Sequence, residues 1–186
     1  MRNLVEKQIL IAYSTWSGAT REVAEYISNV FNQNGWSVTV ENVDNIQVLA
    51  NIDAILIGTS IHAGQVTKSF VRFLKKFHEE IAQNPHAFFV VCANMNEDDE
   101  SSRLETENWL TQALKKAGKF SPVSIGLFAG AAKTDSVEFE KQNFLVKKII
   151  KAMQDKLVEE YGKSDFRDWE KIGAWAINLK DSLANY

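Results

Sequence analysis

Thr15, Ser17, Gly18 and Thr20 fall within one short stretch, directly after an apolar run and directly before a helical pattern. That combination suits a phosphate. The start of a helix presents backbone N–H groups without intrahelical acceptors and carries a partial positive charge. Three hydroxyls add further donors, and a glycine lets the backbone turn close to an anion. No Lys or Arg lies between Ser14 and Thr20, and Arg21 only follows it. An anion in this loop would therefore be held by neutral dipoles. The Gly-Lys-Ser/Thr ending of a Walker loop is missing, and so is a Gly-x-Gly-x-x-Gly dinucleotide turn. Capping of the helix by Ser17 or Thr15 is the competing use of the same hydroxyls.

The surrounding pattern supplies elements that could position such a loop. Ile9 to Ser14 reads as a short strand, and residues 19 to 33 place Ala19, Val23, Ile27, Val30 and Phe31 on one helical face. Gly35 stops that helix. Trp36 to Val40 alternates as a strand, and the unbroken apolar run within Asp53 to Ser60 fits a central strand covered on both faces. Val66, Phe70, Phe73, Leu74, Phe77 and Ile81 predict one amphipathic helix, and Ala87 to Asn94 a second buried strand. Ser102 with Glu105 forms a capping-box pattern opening a helix through Ala117. Val123 to Phe128 is the fifth strand candidate. Helical spacing returns around Phe144 to Leu157 and at Trp169, Ile172, Ala176, Leu179 and Leu183. Strands alternating with helices imply right-handed crossovers, hence a doubly wound α/β fold with a parallel sheet and helices on both faces. Ligands of such sheets bind beyond the carboxyl ends of the strands, where the loop Ser14 to Thr20 falls.

The 186 residues, 45% hydrophobic and 24% charged, predict one soluble domain spanning 1–186, with a helical extension from about 135 to 186. Cys92 is the lone cysteine, so no intrachain disulfide or cysteine-based metal cluster forms, in keeping with a cytoplasmic setting. A net charge of -3 argues against a nucleic-acid partner. Met1 to Gln8 has no apolar run of the kind a secretory signal needs, and the runs around Ile55 and Phe89 are strand-sized.

The stretch from Ile11 to Ala24 resembles the flavodoxin signature, with Thr15, Ser17, Gly18, Thr20, Ala24 and Ile27 where that pattern wants them. The resemblance implies a five-stranded sheet of order 2-1-3-4-5 and flavin mononucleotide (FMN) as cofactor. It implies a phosphate site over Ser14, Thr15, Trp16, Ser17, Gly18, Ala19 and Thr20. Gly58 to Gly64 looks like the family's second flavin loop, with Ser60, Ile61, His62, Ala63 and Gly64 passing the ring. Ala93, Asn94, Met95 and Asn96 look like the third, at the pyrimidine end. Phe128 to Ala131 and Asp168-Trp169 are similar to stretches of the flavodoxin-like protoporphyrinogen oxidase (dehydrogenase) subgroup. Ala12 departs from the pattern at a packing position. His62 stands where that subgroup would have a basic residue, and Lys133-Thr134-Asp135 replaces its basic, aromatic-rich segment. The implied activity is that of an FMN-dependent oxidoreductase with a quinone, a small molecule or a redox protein as partner. A flavodoxin-type electron carrier is the alternative, and a cofactor-free binding or signalling module a weaker one.

Several residues have two readings. Gly58 or Gly64 could allow a peptide to reorient beside the flavin, or each could be an ordinary turn glycine. His62 could stack on the ring or lie idle in its loop. Asn94, Met95 and Asn96 could meet the flavin or cap a strand end. Trp16 could assist from the phosphate loop or pack elsewhere. The acidic run Glu97 to Glu100 could dock a partner, but negative charge before a helix is favourable by itself. Lys141, Lys147, Lys148, Lys151 and Lys156 lie among Phe144, Leu145, Ile149, Ile150 and Met153. They form either a solvated face or one for peripheral membrane contact. Cys92 reads as a buried strand residue, and Phe166, Trp169 and Trp175 as core beneath the last helix.

Overall fold

The computed structural model describes residues 7–185. The reading of the N-terminus therefore lies mostly outside the described residues. Five parallel strands form the sheet: β1 (Gln8–Ser14), β2 (Ser37–Asn42), β3 (Ala54–His62), β5 (His86–Cys92) and β6 (Ser124–Ala129). They run in the order β2-β1-β3-β5-β6, and the two-residue β4 (Gln65–Val66) pairs antiparallel with the end of β3. Without β4 the order is the 2-1-3-4-5 expected from the sequence. Register places Ser14 beside Thr59 and Ser60 beside Val91, so the carboxyl ends of β1, β3 and β5 end at one level. Chain order reverses between β1 and β3, which opens a crevice there.

One apolar cluster fills each side of the sheet. Helices α1 (Ala19–Gln33) and α7 (Trp169–Ala184) cover one face, burying Val23, Ile27 and Phe31 with Ile172, Ala176 and Leu179 against Ile9, Ile11 and Phe89. On the other face α2 (Lys68–Lys76), α3 (His78–Gln83) and α4 (Glu100–Ala117) bury Phe70, Leu74, Ile81 and Leu110 against Ile55, Ile57 and Phe88. The short α5 (Val137–Glu140) and the long α6 (Phe144–Tyr161) follow β6. After α6 the chain returns to the sheet edge. Ala132 N–H donates to the Ser164 carbonyl at 2.9 Å, and Phe166 N–H to that of Gly130 at 3.1 Å.

Three local expectations are revised. Val66 belongs to β4, and the helix expected from Val66 to Ile81 breaks at Phe77 into α2 and α3. The apolar spacing persists across that break because both pieces bury residues on the same core. The capping box at Ser102 and Glu105 does not open α4. Asp99 does, accepting from Ser102 N–H at 2.7 Å, which gives the acidic run a structural use. Phe166 packs on Tyr161 outside the core, whereas Trp169 and Trp175 pack against it, partly buried.

Gly58 is buried within β3, not in a loop, and a Cβ placed there would come within 2.1 Å of the Phe89 ring. It serves packing and offers no peptide free to turn. Gly58→Ala should cost about 1–3 kcal/mol of stability through overpacking, read as a lower urea midpoint.

Candidate functional site

Helix α1, like the short α3, has no side-chain cap, unlike the remaining helices. Thr67, Asp99, Ser136, Asn143 and Asp168 each accept a backbone N–H with a side chain to cap α2, α4, α5, α6 and α7. At α1 the cap residue is Gly18, with φ of 88°, and no side chain caps the helix. Thr15 Oγ1 accepts from Gly18 N–H at 3.0 Å, a bond that shapes the turn before the helix and leaves its first turn open. Glu22 N–H is the first to find a helical partner, the Gly18 carbonyl. The N–H groups of Ala19, Thr20 and Arg21 precede it and so lack a helical acceptor. Thr20 Oγ1 is buried and has no hydrogen-bond partner. The capping alternative for Thr15 and Ser17 thus gives way to an open, donor-rich turn.

Ser14 is a different case. Its hydroxyl lies under the loop, 2.6 Å from Thr67 Oγ1 and 3.2 Å from Thr59 Oγ1. This buried hydroxyl cluster joins the ends of β1 and β3 to the start of α2, so Ser14 braces the loop and its side chain is spent on that role.

The loop forms one end of an open cleft, about 760 Å³ of space with its mouth included. Thr15, Ser17 and Ala19 line this end. Ser60, Ile61, His62, Ala63 and Gly64 line one wall, where β3 turns into β4. Ala63 and Gly64 both have positive φ, 48° and 73°, as a tight two-residue hairpin requires. A Cβ on Gly64 would stand 3.1 Å from the Trp109 indole nitrogen, so the hairpin lies close against α4. Ser60 Oγ is buried without a partner. The Trp16 ring stacks on His62, with centroids 3.9 Å apart and planes 14° from parallel. Burial lowers the His62 pKa to about 4, so its imidazole is neutral at physiological pH.

Cys92, Ala93, Asn94 and Asn96 form the next wall, with Gly130, Ala131 and Ala132 from the segment after β6. Burial pushes the Cys92 thiol above its usual range, so it stays protonated and is no nucleophile. Asn94 donates its amide to the Ser102 carbonyl and to Thr106 Oγ1, both at 3.0 Å. Asn96 Oδ1 accepts from Gly130 N–H at 3.3 Å. These bonds tie the loop to α4 and to β6. Met95 departs from the sequence reading. It points into the core, 2% exposed, because the 3₁₀ turn Ala93–Met95 rolls it inward. Trp16, Gly18 and Thr20 are also absent from the cleft lining, the Trp16 ring being stacked on His62.

Trp109, Gly130 to Ala132, Met153 and Leu157 line the cleft and were not read as site residues. For Met153 and Leu157 the signal was the apolar face of α6, which says nothing about what it faces. Arg167 was also missed. Its side chain is 2% exposed beside the first turn of α1, bonded to Glu22 at 2.8 Å and Asp165 at 2.5 Å. Burial opposes its charge, and the hydrogen bonds it donates to Asp165 and Glu22 more than compensate. Lys133 pairs with Glu22 at 3.2 Å and Arg21 with Glu138 at 2.6 Å. Each cation near the loop already has a carboxylate.

The sequence profile of the flavodoxin domain family matches residues 10–159. Protoporphyrinogen IX dehydrogenase (quinone) of Leishmania major is 31% identical over 126 residues, 66% of this chain. That alignment spans only 53% of the relative, about half its length. The protein of the same name from Escherichia coli (strain K12) is 27% identical over 172 residues, covering 91% of this chain and 93% of the relative. Among solved structures, oxidised Flavodoxin 2 from Bacillus cereus aligns with a TM-score of 0.55 at 16% identity, covering 94% of this chain and 98% of its own. A Fusobacterium nucleatum flavodoxin bound to flavin mononucleotide aligns at 0.52 and 14%, with the same coverage. At such identities these structures speak for the fold.

The Trp16 stack gives a direct test. The unfolded chain protonates His62 near 6.5 and the folded chain near 4, so this group withdraws stability as pH falls through that window. Trp16→Ala should expose the imidazole and raise its pKa toward 6.5, read by NMR titration of the ring protons, and so narrow that acid-sensitive window.

Proposed function

The chain belongs to the flavodoxin domain family, and from that premise we propose that it binds FMN in this cleft and acts as an FMN-dependent oxidoreductase. The observation that carries the reading is the pair of buried, unpartnered hydroxyls, Thr20 Oγ1 in the uncapped turn and Ser60 Oγ on the cleft wall. Orphaned buried polar atoms are costly in a native protein and call for a partner. A phosphomonoester at the first and a polar ring edge at the second would satisfy both.

The residues present fit the group. Thr15, Ser17 and Thr20, with the open N–H groups of α1, would hold the phosphate. The hairpin Ser60 to Gly64 and the loop Ala93 to Asn96 would flank the ring, with backbone groups turned toward its polar edges. Ala131, Met153 and Leu157 would cover it with apolar surface. Bound flavin would supply the electron chemistry, while the protein sets orientation and surroundings. Neutral His62 would shield the ring from water without adding charge. The position of Gly64, in a strained turn at the cleft, suits a peptide that reorients beside the ring.

The substrate reading follows from the curated relatives, named as quinone-linked protoporphyrinogen IX dehydrogenases. We assign this chain to the same reaction class, in which hydrogen removed from a porphyrinogen is passed to a quinone. We place it in the cytoplasm as one domain over 1–186. Among the described residues no helix is long and apolar enough to cross a membrane.

Purified protein should carry FMN and oxidise protoporphyrinogen IX with a quinone as acceptor. FMN binding without turnover would leave a carrier of electrons between proteins. Thr20→Val should weaken FMN about 10- to 100-fold, the worth of one hydrogen bond to a charged group, by titration of the apoprotein. Its apoprotein should melt no earlier than the parent, since the lost hydroxyl had no partner.

A further inference from the structure

We propose that a groove beside the cleft, between the β3–β4 hairpin, α2 and α4, seats the hydrogen-donating substrate by its carboxylates. The proposal rests on the flavin and porphyrinogen reading above. Ala63, Gly64 and Trp109 line both spaces, so groove and cleft meet across one indole and the tip of one hairpin. The groove offers about 1090 Å³ of space with its mouth included, against about 760 Å³ for the cleft. Helical spacing builds one wall, with Asn108, Trp109, Gln112 and Lys116 along a single face of α4. Val66 of β4 and Lys68 and Val71 of α2 stand across from it.

The charges of the groove indicate its occupant. Lys68 and Lys116 are the charged residues of the lining, and no carboxylate shares it. Neither lysine has an ion-pair or hydrogen-bond partner among the described residues. Lys116 stands in the last turn of α4, where a cation is favourable by itself. Lys68 stands at the opposite pole, as the first residue of α2. The helix dipole disfavours a cation there, and no acidic residue accompanies it in that turn. An anion in the groove would offset that mismatch by meeting Lys68 and the head of α2 together. The Trp109 indole nitrogen lies at the junction, 3.1 Å from where a Cβ on Gly64 would stand. Its N–H makes no hydrogen bond among the described residues and is open to a ligand. A broad apolar molecule bearing two carboxylates suits this lining, its rings against Trp109, Val66 and Val71 and its carboxylates at the lysines. A porphyrinogen with two propionates has that chemistry. A quinone, which is uncharged, does not.

Equilibrium titration of the purified protein with deuteroporphyrin IX, an already oxidised porphyrin that keeps both propionates, provides the test. The parent protein should bind it, read from the shift of the porphyrin absorbance band. Lys68→Glu with Lys116→Glu should weaken binding about tenfold or more, as reversal of two exposed charges would. The dimethyl ester of the same porphyrin should bind the parent protein with a similar loss. Lys115→Glu with Lys119→Glu changes exposed lysines outside the groove and should leave the affinity unchanged. In turnover the Lys68 and Lys116 variant should raise KM for protoporphyrinogen IX and leave kcat unchanged. No porphyrin binding by the parent, parental affinity in the Lys68 and Lys116 variant, or equal affinity for the ester would each overturn the proposal. An equal loss in the Lys115 and Lys119 variant would also overturn it, by assigning the effect to overall charge. FMN titration of the same samples separates the two readings. Protein that takes the porphyrin but no FMN contradicts the flavin reading, and protein that takes FMN but no porphyrin contradicts the groove.

Discussion

Unpaired N–H groups at the head of a helix are the constraint around which this molecule is organised. In α1 they follow Gly18, and no side chain accepts from them. Five other helices receive such an acceptor. Leaving donors open in a buried turn is unfavourable unless something else satisfies them. Thr20 adds a further orphan at the same place. On the proposed reading, an acceptor from outside the chain satisfies them. The neighbouring cations do not alter this. Arg21, Lys133 and Arg167 are each held by a carboxylate, so an anion bound there would rest on oriented dipoles.

The rest of the fold keeps that turn in place. The Ser14, Thr59 and Thr67 hydroxyls fasten β1 to β3 and to α2 beneath it. Arg167 bonds the carbonyl of Ala19 and the carboxylate of Glu22, linking the first turn of α1 to the segment before α7. Gln142 reaches the Trp16 carbonyl at 3.0 Å from the segment before α6. Trp16 in turn lies on His62, so the phosphate-type loop and the hairpin wall are coupled through one ring contact. The two ends of the cleft are parts of one connected structure.

Much of this was legible in the residues. Hydrophobic periodicity located every strand of the parallel sheet and the main helices to within a few residues, because strand and helix burial impose different spacings. The hydroxyl loop was visible because its residue types have few other reasons to cluster before a helix. What stayed hidden depends on distance in the chain. Trp109, Met153 and Leu157 reach the cleft from helices whose apolar positions look like ordinary core. Ser14 and Thr20 have similar side chains in one loop, yet one is spent on internal bonds and the other is left free. Only the tertiary positions of Thr59 and Thr67 decide between them. Asp99 displaced Ser102 as the cap of α4 because both are competent caps in one polar run.

The claim that a neutral, uncapped turn grips a phosphate is tested most directly by comparing FMN with riboflavin, which differs only in lacking that phosphate. Equilibrium titration of the apoprotein should give FMN an advantage on the order of 100-fold or more, as several charge-assisted hydrogen bonds would provide. Equal affinity for the two flavins would contradict the account, because the turn at Thr15 to Thr20 would then have no anion to hold.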